Sequence, residues 1–147
     1  MEKEEIELLI NKIIGYCIDV HKELGPGFLE SIYHRALEIK FAEERINFES
    51  EKEIPVYYHK KLVGIHKLDF LIKEELVLEL KTVEEIHKKY YAQVRSYLKA
   101  TDKEIGLLVN FADFKLDPRR VERDKEKGRG VTKEKWEIWK NGNYLPK

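Results

Sequence analysis

The sequence predicts an α/β domain with a mixed four- to five-stranded sheet flanked by helices, in the order α-α-β-β-β-α-β. Three observations carry this. Two stretches near the start place apolar residues at helical spacing, and residues 64–81 read as two β-forming runs joined by a charged break. A third helical stretch then leads to the apolar run 105–111, which has the length of a buried strand. Strand, helix, strand at this spacing implies a crossover that leaves the last strand parallel to the one before the helix.

Taken in order, residues 3–23 carry Ile6, Leu9, Ile10, Ile13, Ile14, Cys17, Ile18 and His21 on one side of a first amphipathic helix. Gly25-Pro26-Gly27 ends it. A second helix is expected over about 28–45, with Leu29, Ile32, Tyr33, Ala36, Leu37 and Phe41 along its apolar side. Residues 48–59, rich in β-branched and aromatic side chains around Pro55, read as an antiparallel first strand. The runs 64–72 and 76–81 form a hairpin, 83–100 a third helix, and 105–111 a strand buried on both faces. Residues 119–123 add a short fifth strand, and 124–130 a charged loop. Around Asn141-Gly142, residues 136–144 fit a small hairpin or a short helix equally well. The whole chain, 1–147, suits one domain, with a core over about 6–123 and a C-terminal extension over 124–147.

Composition narrows the functional classes. Lys plus Arg and Asp plus Glu both number 28, so there is no global nucleic-acid footprint. Charge is nevertheless uneven, with 7 basic and 13 acidic residues in 1–53 against 11 and 6 in 115–147. The one cysteine, Cys17, rules out a disulfide framework or a cysteine-based metal site, and reads as a buried structural thiol. An acidic start with no long apolar segment argues against a signal peptide or membrane span, so a cytoplasmic location is expected.

The hairpin carries the chemistry. A three-residue loop of Lys73, Glu74 and Glu75 pairs Ile72 with Leu76, Phe70 with Leu78, Asp69 with Glu79 and Lys67 with Lys81. One face then holds Leu68, Phe70, Ile72, Leu76, Leu78 and Leu80, and the other Lys67, Asp69, Leu71, Val77, Glu79 and Lys81. A two-residue loop would scramble both faces. The register sets two carboxylates across from each other with Cβ atoms roughly 5 Å apart, where repulsion at an effective dielectric of 20 is about 3 kcal/mol, or below about 1 if water fills the gap. A hard divalent cation, Mg²⁺ or Mn²⁺, relieves it better than neighbouring lysines do.

Asp69, nine intervening residues, then Glu79-Leu80-Lys81, set in this element order, resembles the PD-(D/E)xK nuclease superfamily with its restriction-endonuclease-like core. Residues Gly27-Phe28-Leu29-Glu30-Ser31-Ile32-Tyr33 look like the signature of the GxxExxY family, a prokaryotic branch of it. Gln93-Val94-Arg95-Ser96-Tyr97 is similar to the Gln-x-x-x-Tyr element of exonuclease-like members. Leu68 departs from the pattern by standing where the superfamily's name has proline, and the tail with Trp136 and Trp139 has no counterpart.

The resemblance implies a Mg²⁺- or Mn²⁺-dependent nuclease that hydrolyses DNA phosphodiester bonds. Asp69, Glu79, the Leu80 carbonyl and Glu30 would hold the metal, Lys81 would orient the attacking water, and Gln93 would act near metal or DNA. Tyr97 would meet a phosphate or support Lys81, and Tyr33 would meet substrate. Arg119, Arg120 and Arg123, with Lys125, Lys127 and Arg129, fit either a phosphate-binding surface or a solvated charged loop. The five histidines, without metal spacing among themselves, are expected to be structural or on the surface. The rival function is a catalytically silent nucleic-acid-binding or protein-interaction module on the same fold. Nucleic acid, DNA foremost, is the expected partner; a homodimer stays open.

Overall fold

In the computed structural model, which describes residues 1–123, the two leading helices are α1 (Lys3–Leu24) and α2 (Glu30–Glu43). The strands β1 (Phe48–Tyr58), β2 (Lys61–Ile72) and β3 (Leu76–Lys81) follow as a meander. Then come α3 (Lys88–Thr101), β4 (Ile105–Asn110) and β5 (Asp117–Glu122). The five strands form one sheet in sequence order. Pairing is antiparallel except between β3 and β4, which run parallel across the α3 crossover as expected. The expectations for 124–130 and 136–144 lie outside the described residues.

Helices cover both faces of the sheet. On one side α1 and α2 pack Ile13, Cys17, Leu37 and Phe41 against Phe70, Ile72, Leu76, Leu78 and Leu80. On the other, α3 lays Tyr91, Val94, Tyr97 and Leu98 over Leu71, Val77 and Leu108. Gly106 sets the closeness of that second layer, because a Cβ there would lie 2.9 Å from Val94 Cγ1. The edge strands β1 and β5 carry Pro55 and Pro118, whose missing N–H groups are tolerated only at a sheet margin. Cys17 is fully buried, and burial pushes its thiol pKa up to about 12.

Several expectations are corrected. Residues 28 and 29 precede α2, β2 starts three residues early at Lys61, and α3 starts at Lys88 rather than residue 83. The buried stripe of α2 is Tyr33, His34, Leu37 and Phe41, leaving Leu29 and Ile32 exposed. Leu68 does not share a face with Phe70: it belongs to the α3-side cluster. The alternation slips at the position between them, where Glu51 has φ 52° and the Glu51/Asp69 pair drops out of the β1–β2 ladder.

Candidate active site

The site grows from the place where β2 leaves β3. Their ladder holds the expected register at Ile72/Leu76 and Phe70/Leu78 and then stops. Beyond it the side chains replace the ladder. The Asp69 N–H donates to Glu79 Oε1 at 2.6 Å, and the Leu80 N–H donates to Asp69 Oδ2 at 2.8 Å. Asp69 and Glu79 are therefore not the ladder partners expected; instead each carboxylate is held by an amide of the opposite strand. Lys67 and Lys81 are not ladder partners; Lys67 lies opposite Glu53 on β1.

Glu79 follows Val77 by two residues and so projects to the α3 side, where it is 4% exposed. Burial first, and then the Asp69 charge, push its pKa up to about 8, against the pull of the Asp69 N–H and of Lys81. Glu30, at the first residue of α2, is also raised, by burial and by Asp69, with Lys81 and His34 pulling the other way. Glu30, Asp69, Glu79 and Lys81 thus influence one another electrostatically from three elements. Lys81 is half-buried, and its ammonium lies 4.7 Å from the centre of the Tyr90 ring at the start of α3.

The end of β3 is clamped from β4. The Phe111 N–H donates to the Lys81 carbonyl at 2.8 Å. The buried Asn110 accepts from the Val83 N–H and returns a 2.7 Å bond to the Val83 carbonyl, fixing the chain just after Lys81.

His34 is the residue that sequence reasoning missed. It is buried, stacks on Phe70 at 4.3 Å, and sets Nδ1 3.7 Å from Asp69 Oδ1. Its Nε2 lies 2.8 Å from Ser50 Oγ, and that hydroxyl donates its one proton to Glu38 at 2.6 Å. Nε2 must therefore donate to Ser50, and Nδ1 reaches Asp69 as a donor only when the ring is an imidazolium. Burial opposes that charge, but Asp69 prevails and the His34 pKa is raised. The signal was present: Glu30, His34 and Glu38 stand four apart, a polar stripe beside the buried one.

Other expected site residues fall differently. Tyr33 is fully buried, with its ring stacked on Phe111 at 4.7 Å and its hydroxyl donating to the Gly25 carbonyl at 2.6 Å. It pins the turn before Glu30. Gly25 and Gly27, at φ 75° and 105°, supply the left-handed backbone that this turn needs. Tyr97 is buried behind the carboxylates and donates to the Lys67 carbonyl at 3.3 Å; burial, then Glu79 and Asp69, raise its pKa. Gln93 is half-buried, one turn before Tyr97 on α3.

The arginines do not form one surface. Arg119 bonds Asp117 and the Tyr91 hydroxyl on the α3 side, whereas Arg120 forks onto Glu7 of α1. Adjacent strand residues point to opposite faces. Arg123 pairs with Asp102 beyond the end of α3. All three are engaged in tying β5 to its neighbours.

The donor set fits a hard divalent cation: two carboxylates, Asp69 and Glu79, in mutual repulsion. Among the described residues no three His, Cys, Asp or Glu side chains form a group that could hold a metal, so Glu30, Asp69 and Glu79 are not a preformed triad.

A family model described as "PD-(D/E)XK nuclease superfamily" matches residues 7–122. Among solved structures the fold is similar to the crystal structure of SSO0001, with 22% identity and a TM-score of 0.53 over 63% of this chain and 48% of that one. An alkaline exonuclease (LHK-Exo) from Laribacter hongkongensis matches with 17% identity and a TM-score of 0.48, over 64% of this chain and 55% of that one. The chain therefore spans about half the length of the structures it matches. Among curated proteins none matches.

Proposed function

Since the chain belongs to the PD-(D/E)XK nuclease superfamily, whose members generally use divalent metal ions, we propose that it is a Mg²⁺- or Mn²⁺-dependent nuclease that hydrolyses DNA phosphodiester bonds. The observation that carries this reading is the Asp69–Glu79 encounter where β2 parts from β3, with Glu30 and Lys81 acting on it electrostatically.

Asp69 and Glu79, with the Leu80 carbonyl, would hold the cation, and Glu30 would join them directly or through water. When bound, the cation supplies neutralisation of charge that develops on the phosphate. His34 and the Leu80 N–H fix the Asp69 carboxylate, and Asn110 fixes the backbone that carries Lys81. Lys81, its ammonium on the Tyr90 face, orients the attacking water and offsets negative charge beside it. Tyr97 of α3 lies behind the carboxylates, and Gln93, one turn earlier, would act near metal or DNA. The Gly27-to-Tyr33 signature supports placement in the GxxExxY branch, and with it a prokaryotic, cytoplasmic enzyme. Among the described residues no helix is long and apolar enough to cross a membrane.

Incubating purified protein with circular, linear and single-stranded DNA, each in Mn²⁺ or in chelator, tests the reading. Products in the Mn²⁺ arms alone are expected. DNA left intact in every arm overturns it.

A further inference from the structure

The hairpin of β1 and β2 is longer than the core requires. Its outer part, residues 55–66, reaches a two-residue turn at His59 and Lys60. Tyr57, Tyr58, Leu62, Val63 and Ile65 there are each 55–65% exposed. Residues 54–68 also include Lys60, Lys61, Lys67, His59 and His66 and no Asp or Glu, although acids make up 28 of the 147 residues.

We propose that this hairpin is an arm that takes up single-stranded nucleic acid and leads it along β2 to Asp69; the proposal rests on the nuclease reading above. Four features support that occupant. The arm is aromatic and cationic together, the combination that binds unpaired bases by stacking and their backbone by charge. Pairing sets Tyr57 beside Leu62 and Pro55 beside Ile65 on one face, and Tyr58 beside Lys61 on the other, so each face offers a tyrosine ring.

At the tip, His59 and Lys60 have φ of 49° and 65°, a backbone that favours Asn or Gly, yet two basic residues stand there. Further in, although Glu53 stands opposite Lys67 on β1, the arm also touches α3. The His66 ring meets the edge of Tyr97 at 5.4 Å, and Tyr97 belongs to residues 86–101, a second stretch without Asp or Glu.

The path follows one strand, since β2 runs from Lys61 to Asp69, a span of about 26 Å, with a register shift that leaves Val63 unpaired. A second copy of this chain is disfavoured as the occupant. A two-fold contact sets a patch against itself and would bring the lysines of one tip against those of the other. Duplex is disfavoured because its bases are stacked on each other and offer no free face to Tyr57 or Tyr58.

The test is fluorescence anisotropy of labelled single-stranded DNA and RNA oligonucleotides, in chelator so that cleavage does not compete, with duplex as competitor. Wild type is compared with Tyr57→Ser/Tyr58→Ser and Lys60→Glu/Lys61→Glu, whose melts are checked against wild type. Each double variant is expected to weaken single-strand binding at least tenfold, and the lysine variant to lower the salt slope by about one to two. Unchanged affinity in correctly folded variants overturns the arm. So does a duplex preference, or sedimentation showing that the tyrosine variant dissociates a wild-type dimer. Cleavage by wild type in Mn²⁺ is read in parallel. Cleavage without arm-dependent binding overturns the arm and spares the site, whereas arm-dependent binding without cleavage overturns the nuclease reading instead.

Discussion

Replacing Asp69 with asparagine in metal-free protein removes one of two opposed charges while leaving an oxygen to accept the Leu80 N–H. Glu79 holds its proton more tightly in the folded protein, at about 8, than in the unfolded chain, at about 4.5. Between those pH values the folded form carries more protons, so wild-type stability falls as pH rises. At about 1.4 kcal/mol per pH unit that gap bounds the loss at about 5 kcal/mol, shared by the carboxylate pair. Burial is the larger cause and survives the substitution; the Asp69 charge is the second and does not. Asp69→Asn should therefore flatten the decline and stabilise the apo form at pH 8.5 by about 1–3 kcal/mol, or roughly 4–12 °C in Tm. At pH 5 Glu79 is neutral in both proteins and the variant lacks the Asp69–His34 attraction, so it should be no more stable than wild type. Thermal melts of both proteins in chelator from pH 5 to 9 read the two curves. Parallel curves, or a variant less stable than wild type at pH 8.5, would refute the reasoning.

Three further outcomes follow from the same geometry. Lys81→Ala should change thermal stability by less than about 1 kcal/mol yet slow DNA cleavage by about 10²-fold or more, read in single-turnover assays; wild-type cleavage removes it from the mechanism. Asn110→Ala strands the Val83 N–H and carbonyl that Asn110 satisfies and should cost about 2–3 kcal/mol in urea unfolding; a cost below about 0.5 means that the clamp is idle. Arg120→Gln, which breaks a surface pair with Glu7, should shift stability by about 0.2–1 kcal/mol and leave DNA affinity unchanged; weakened binding would return β5 to the substrate surface.

The sheet order and the Asp69–Glu79 encounter were legible because period-two alternation leaves one hairpin register that buries Phe70, Ile72, Leu76, Leu78 and Leu80 together. The same rule failed at Leu68, because the slip at Glu51 and Asp69 is made by backbone angles that no side-chain pattern records. On α2 two stripes compete. Leu29 and Ile32 suggested one, but the core selects Tyr33, Leu37 and Phe41, whose four-residue spacing follows the helix. That choice also turns His34 inward to Asp69, which the lack of His-to-His metal spacing concealed. Arg119, Arg120 and Arg123 read as a basic cluster because sequence shows neighbours along the chain. Their partners Glu7 and Asp102 come from distant elements.

The central claim is that Asp69 and Glu79 form a divalent metal site, and calorimetric titration of Mn²⁺ into the protein at pH 7 addresses it most directly. With the Glu79 pKa near 8, binding must displace its proton, so heats measured in buffers of different ionisation enthalpy should report about one proton released per Mn²⁺. One ion per chain with that release, and none bound by Glu79→Gln, is the expected result. No binding by wild type, or an unaltered isotherm for Glu79→Gln, would contradict the account.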